Sequence, residues 1–145
     1  MHTTDLFGQE SNLMNSLSQI LDLFKTKRVL IIGDAMIDAY MWGQINRKSP
    51  EAPVPIVNID KRENRLGGAA NVTLNIQSLG ATPILFSAIG EDHYADLFIK
   101  LMHEQKLSCE GIQKISNRIT TVKTRIISNN KHCLLYTSPS PRDCQ

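Results

Sequence analysis

Apolar residues recur at Leu13, Leu17, Ile20, Leu21 and Phe24, with Asn15, Ser18, Gln19 and Asp22 between them. This three-and-four spacing puts the apolar side chains on one face of a helix. Ser11 or Asn12 can cap its start, and Lys25, Lys27 and Arg28 suit its negative end. An amphipathic helix that packs on a sheet is the expectation. The continuous run Val29–Ile32 then predicts a short strand buried on both faces. Residues 35–48, with Trp42 and Gly43, read as an irregular connection. Pro50, Pro53 and Pro55 exclude helix and a central strand from the next segment, so it is extended and at an edge. It runs into Ile56–Ile59, whose alternation predicts a strand in a small, partly exposed sheet.

Gly67-Gly68 opens a helix carrying Ala69, Val72, Ile76 and Leu79, with Gly80 as its C-terminal cap. Pro83–Ile89 is a second apolar strand. Asp92 caps a helix carrying Tyr94, Leu97, Phe98, Leu101 and Met102. Further strands are expected near Gly111–Ile115 and Ile119–Ser128, the latter alternating Val122, Thr124 and Ile126 with Lys123, Arg125 and Ile127. Strands alternating with helices predict an α/β fold with a largely parallel sheet.

Composition changes this picture mainly by exclusion. The 145 residues are 41% hydrophobic and 21% charged, as in a folded globular chain, and the formal charge of +2 gives no electrostatic case for nucleic acid or membrane surfaces. No apolar run approaches the roughly 18 residues that cross a bilayer. The N-terminus lacks a basic-then-apolar signal pattern, which points to the cytoplasm. Three cysteines do not make a disulfide framework or a four-ligand zinc site. Neither do His93, His103 and His132 have metal-like spacing, and Cys109 reads as a small buried hydrophobe. The character of the chain changes at its end. "CLLYTSPSPRD", from Cys133 to Asp143, looks like the translation of a sequencing-library adapter. Residues 133–145 are therefore expected to be a non-native read-through, the alternative being a natural Ser/Pro-rich linker.

Two places can carry chemistry. Gly67-Gly68 before a helix permits unusual backbone angles and lets a ligand approach the unpaired N–H groups of the helix start. A tight turn with close helix–strand packing explains the same pair. Asp34 and Asp38 follow the first buried strand, where ligands of open α/β sheets bind and where a carboxylate can accept hydrogen bonds from sugar hydroxyls. A turn-capping role explains either of them equally well.

The string "GGAANVT" from Gly67, followed by Gly80 and Gly90, resembles the first signature of the ribokinase-like (PfkB) carbohydrate kinases. "IIGDAMIDAYMWG", "SPEAPVPIV", "RENRLGGAANVTLNIQSLGA" and "TTVKTRIIS" resemble its heptose-7-phosphate kinase branch, often fused to a heptose-1-phosphate adenylyltransferase. The resemblance runs from about Val29 to His132. Periodicity gives a tail and helix over residues 1–28; the resemblance implies the N-terminal part of a kinase domain over 29–132, and within it a β lid over about 44–66. Lid closure would exclude water from phosphoryl transfer.

By the same resemblance Asp38 grips substrate hydroxyls, Gly67, Gly68 and Asn71 line the sugar pocket, and Asp34 lies near it. A sugar phosphate also needs cations. Arg47, Lys48, Lys61, Arg62 and Arg65 flank the lid and the glycines; Arg65 is the first choice and Arg125 a further one, a solvated basic surface being the alternative. The implied reaction moves the ATP γ-phosphoryl group to the C1 hydroxyl of a phosphorylated heptose, with Mg²⁺ on the phosphates. The implied whole protein is a homodimer through its lid. The family's base is an Asp in a C-terminal "GAGD" string that the 145 residues do not contain. The sugar-binding half without the base or most of the ATP site is therefore expected, inactive alone. Another PfkB sugar kinase of fructokinase or ribokinase type, or a non-catalytic sugar-binding module, is the alternative.

Overall fold

A computed structural model describes residues 17–50, 55–128 and 131–137. The caps assigned to Ser11 or Asn12, the proline at position 53 and the end of the tail from residue 138 lie outside them. The order of elements is α1 (residues 17–24), β1 (Arg28–Ile32), β2 (Ala35–Lys48), β3 (Pro55–Gly68), α2 (Ala69–Ser78), β4 (Thr82–Ile89), α3 (His93–Glu104), β5 (Ile112–Lys114), β6 (Val122–Ser128) and β7 (Lys131–Thr137). The strands form two sheets, β1-β4-β5 and β3-β2-β6-β7. Three of the five pairings are parallel, β1 with β4, β4 with β5 and β2 with β6, so the expected α/β class with a mainly parallel arrangement holds.

Residues 35–48 are not an irregular connection. They are one long strand, β2, paired along its length with β3. Its alternation is plain once the small residues are counted: Ala35, Ile37 and Ala39 are buried, while Met36, Asp38 and Tyr40 lie on the other face. Gly43 sits at a register shift, and a side chain there would run into the carbonyl oxygen of Asn58. The hairpin therefore runs from Ala35 to Gly68, wider than the lid expected over 44–66. β3 lies at the sheet edge, where the prolines require it.

Three burial expectations fail, the first in α2, where Ala70 and Thr73 are buried and the expected Val72 and Leu79 are each 47% exposed. β1 is not buried on both faces: Leu30 is 58% and Ile32 75% exposed, as is Phe86 beside Ile32 at 50%. α2 packs on β1 and β4, and among the described residues nothing covers the opposite face. The N-terminal helix forms, but Leu17, Ile20, Leu21 and Leu23 remain about half exposed and do not pack as a stripe on a sheet.

The core is one cluster that joins both sheets to α3, with Ile37, Leu85, Ile89, Phe98 and Met102 fully buried. The sheets are stitched where the Ala35 N–H of β2 donates to Ser87 Oγ of β4 (3.0 Å), while the Ile37 N–H donates to the Thr121 carbonyl (2.9 Å) to start the β2–β6 pairing. Asp92 caps α3 as predicted: its Oδ1 accepts from the Ala95 N–H and its Oδ2 from the Thr120 N–H, both at 2.8 Å. It thus ties the helix start to the segment that enters β6. Burial pushes the Asp92 carboxyl up, but the N–H donors of Thr120 and Ala95 more than offset this and hold it below its usual value. A depressed carboxyl stabilises the fold above the unfolded pKa and loses that contribution as pH falls through the folded one. Asp92→Ala is therefore expected to cost roughly 1–2 kcal/mol at neutral pH. In urea unfolding followed against pH, the gap to wild type should narrow below about pH 4.

Candidate functional site

The C-terminal end of β1, the start of β2, the end of β3 and the start of α2 meet at one point. Ala35 pairs with Gly68, Met36 with Gly67 and Asp38 with Arg65. The two glycines serve different needs. Gly68 is the N-cap of α2 with φ +59°, and a side chain on it would strike the carbonyl oxygen of Asp34. That same carbonyl accepts the Ala69 N–H at 2.9 Å, locking helix to turn. Gly67 lies beneath Asp38: a Cβ there would be 2.8 Å from Asp38 Cγ and 2.9 Å from its Oδ2. The close-packing explanation of the pair is thus realised, and the packing partner is the candidate sugar-gripping carboxylate.

The start of α2 has no side-chain cap and no acidic residue in its first turn. Its N–H groups form a partial positive charge open to an oxygen-rich ligand. Asn71 sits exposed on that first turn, with an amide able to donate and accept. Asp34 stands at the β1–β2 turn, where Arg118 Nη2 lies 3.9 Å from its Oδ1. A shallow apolar cleft of about 350 Å³ opens beside Asp34 at the ends of β1, β4 and β5, lined by Ile32, Phe86 and Ile115 among others. A larger cavity of about 590 Å³, between α1 and the end of α2, lies away from this chemistry.

Asp38 is half-buried and Arg125 Nη1 donates to its Oδ1 at 2.6 Å, both side chains being 19% exposed. Parallel pairing of β2 with β6 brings them together across 87 positions of sequence. Register places Asp38, Tyr40 and Trp42 on one face with Arg65, Glu63 and Lys61 of β3 and with Lys123, Arg125 and Ile127 of β6. The Tyr40 and Trp42 rings stack at 5.6 Å. The guanidinium carbons of Arg65 and Arg125 lie 4.9 and 5.0 Å from the Tyr40 ring centroid, and Lys61 Nζ lies 4.8 Å from that of Trp42. Arg65 also donates to Glu63 (2.6 Å); hydrogen bonds from Arg65 and Lys61 hold the Glu63 carboxyl below its ordinary value.

The structure thus brings together Asp38, Gly67, Gly68, Asn71, Arg65 and Arg125, with Asp34 alongside. Lys61 shares that face, and the remaining candidate cations are separated from it. Arg62 pairs in register with Met41, so it belongs to the other face, and Arg47 and Lys48 pair with Ile56 and Pro55 at the far end of the hairpin. Tyr40, Trp42 and Arg118 are site residues that motif reading missed. For the two aromatics the signal was present, an i, i+2 step from Asp38 on a strand. Arg118 carries none, since its partner is remote in sequence.

Cys109 is partly buried against the core, with burial pushing its thiol pKa up, as expected of a packing residue. His93 and His103 are exposed. Among the described residues no group of three or more His, Cys, Asp or Glu has the arrangement to hold a metal ion. Mg²⁺ is usually held by one or two carboxylates together with substrate phosphates, and no step is assigned to it on these residues. No helix among them is long and apolar enough to cross a membrane.

The profile of the pfkB family carbohydrate kinases matches residues 26–144, and the chain belongs to that family. Within it, the chain is similar to the bifunctional protein HldE of Syntrophotalea carbinolica, 39% identical over 126 residues, and to that of Aliarcobacter butzleri, 41% identical over 121. These alignments cover 87% and 83% of this chain but only 25% of each relative, so the chain spans about a quarter of the length of the curated relatives it matches. Solved structures agree on the fold. The Methanocaldococcus jannaschii nucleoside kinase aligns with a TM-score of 0.59 at 16% identity, covering 77% of this chain and 36% of its own. The Halothermothrix orenii fructokinase aligns with a TM-score of 0.57 at 20% identity, covering 77% and 37%.

Proposed function

We propose that the chain is the sugar-binding part of an ATP-dependent kinase that phosphorylates D-glycero-D-manno-heptose 7-phosphate at C1. The product would be heptose 1,7-bisphosphate, made in the cytoplasm on the way to ADP-heptose and the lipopolysaccharide core. The observation that carries this reading is the Asp38 carboxylate seated over Gly67 beside the uncapped start of α2. Asp38 accepts hydrogen bonds from the sugar hydroxyls, the bare backbone of Gly67 and Gly68 lets the ring come close, and Asn71 donates and accepts at its rim. The heptose branch is favoured by the "SPEAPVP" and "RLGGAANV" strings and by the HldE relatives. ATP supplies the transferred phosphoryl group; the family neighbours include a ribokinase from Cryptococcus neoformans in complex with ADP.

The reading assigns no base to this chain, because the family's "GAGD" string is not in it. A coupled ADP-release assay on the 145-residue chain with ATP, Mg²⁺ and heptose 7-phosphate is expected to show no turnover. Turnover above background would overturn that division of labour. Saturable binding of heptose 7-phosphate tests the sugar site itself.

The partner proposed for the whole protein is a second copy, joined through the lid. The support is β3, a 14-residue strand at the sheet edge whose outer backbone groups pair with no strand among the described residues. Light scattering should return a dimer mass. A monomeric wild-type chain would count against a lid-mediated dimer.

A further inference from the structure

We propose that Arg125 is a phosphate-operated latch on Asp38. Arg125 bonds the carboxylate that is to grip the sugar. A phosphate carried by the sugar draws Arg125 away and frees that carboxylate, so the phosphorylated sugar is selected over the same sugar without phosphate. The inference rests on the sugar-site reading above and adds to it how the site recognises a phosphorylated substrate.

Three features support the latch. First, the contact is where the sugar must bind. Asp38 Oδ2 packs against Gly67, and Oδ1 is taken by Arg125 Nη1 at 2.6 Å. A hydroxyl bonding to Oδ1 has to displace or share a short charge-assisted bond. A plain sugar brings nothing to replace it, and displacement would leave a largely buried guanidinium without its anion.

Second, an alternative seat for Arg125 is already built. Arg125 and Arg65 come from strands on opposite sides of β2, and both guanidiniums lie about 5 Å from the Tyr40 ring. A phosphate above that ring reaches both planar forks. Arg125 is then transferred from one anion to another while it stays beside the same aromatic ring.

Third, the face carries more positive than negative charge. Among the described residues that pair in register there, Lys61, Arg65, Lys123 and Arg125 share it with Asp38 and Glu63, four cations against two anions. A doubly charged phosphate roughly balances that excess. A carboxylate already paired with Arg125 lowers affinity for the neutral sugar, and the same charge excess raises it for the phosphorylated one.

The latch predicts a coupling that a purely structural ion pair does not. Inorganic phosphate alone should take Arg125 and thereby tighten the binding of unphosphorylated heptose. By linkage, heptose must tighten phosphate by the same factor. Trp42 is the chain's single tryptophan and stacks on Tyr40, so its fluorescence reports on this cluster.

The experiment titrates the 145-residue chain with D-glycero-D-manno-heptose, with and without inorganic phosphate, and with heptose 7-phosphate. In wild type, phosphate should tighten plain heptose on the order of tenfold, the worth of one charge-assisted hydrogen bond. In Arg125→Gln, phosphate should have no effect on heptose, plain heptose should bind more tightly than in wild type, and the advantage of heptose 7-phosphate should collapse towards one. The wild-type measurement needs no variant, so a poorly folding Arg125→Gln chain does not rescue the proposal. Unchanged heptose affinity in the presence of phosphate overturns the latch. So does an Arg125→Gln chain that keeps the full preference for heptose 7-phosphate; in that case the sugar site stands. Failure of both sugars to bind at millimolar concentration overturns the sugar-site reading, and the latch falls with it.

Discussion

Gly68→Val is expected to remove more than about 3 kcal/mol of stability and to abolish a cooperative unfolding transition. Two penalties coincide at this position. A β-branched side chain is forced into the left-handed region at φ +59°, which costs of order 1–3 kcal/mol. Its Cβ also meets the carbonyl oxygen of Asp34, a backbone atom already committed to the Ala69 N–H. Neither partner can move without separating α2 from the β1–β2 turn. Gly80 is the control. It too has positive φ, +93°, but the nearest atom to its Cβ is Cγ of the exposed Lys25 side chain at 3.4 Å, an ordinary van der Waals contact. Gly80→Ala should therefore cost only about 1 kcal/mol. Thermal unfolding of both variants checks the contrast; equal losses would show that backbone strain alone, and not the close approach to Asp34, sets the requirement for glycine.

Asp38→Asn carries the second large effect, on binding. The amide keeps the shape of the carboxylate but not its charge, so its hydrogen bonds to sugar hydroxyls lose their charge assistance, and two such bonds amount to about a hundredfold in affinity. The same change deprives Arg125 of its anion, since the pair is 19% exposed on each side, and should lower stability by about 2 kcal/mol. The two readouts separate the roles. Calorimetric titration with heptose 7-phosphate reports the grip on the sugar, and urea unfolding reports the ion pair. A variant that is less stable but binds sugar as wild type would make Asp38 a structural residue only.

Local pattern made much of this fold legible. α3 and β4 are announced by their apolar stripes and the Asp92 cap, and the bounds of α2 by Gly67-Gly68 and Gly80, although α2 buries Ala70 and Thr73 and leaves the expected Val72 and Leu79 exposed. β2 was hidden for a physical reason. Its buried positions include Ala35 and Ala39, too small to stand out as a hydrophobic alternation, and Gly43 interrupts the strand where Asn58 leaves no room for a side chain. The exposure of Leu30 and Ile32 was illegible too, since a β-branched run declares what a strand is able to bury and not whether a neighbour is there to cover it.

The site divides in the same way. Gly67, Gly68 and Asn71 are contiguous and form a recognisable string. The contact of Asp38 with Arg125 depends on two strands lying parallel, which no local pattern encodes. Arg65 and Arg62 look equivalent in sequence, three positions apart, yet register sends one to the Tyr40 face and the other to the opposite face.

The central claim is that the carboxylate over Gly67, with the start of α2, is a sugar-binding site. Calorimetric titration of the 145-residue chain with D-glycero-D-manno-heptose 7-phosphate tests it most directly. Saturable binding at one site per chain, lost in Asp38→Asn, is the predicted result. No binding by a chain that unfolds cooperatively, or equal binding by Asp38→Asn, would contradict it.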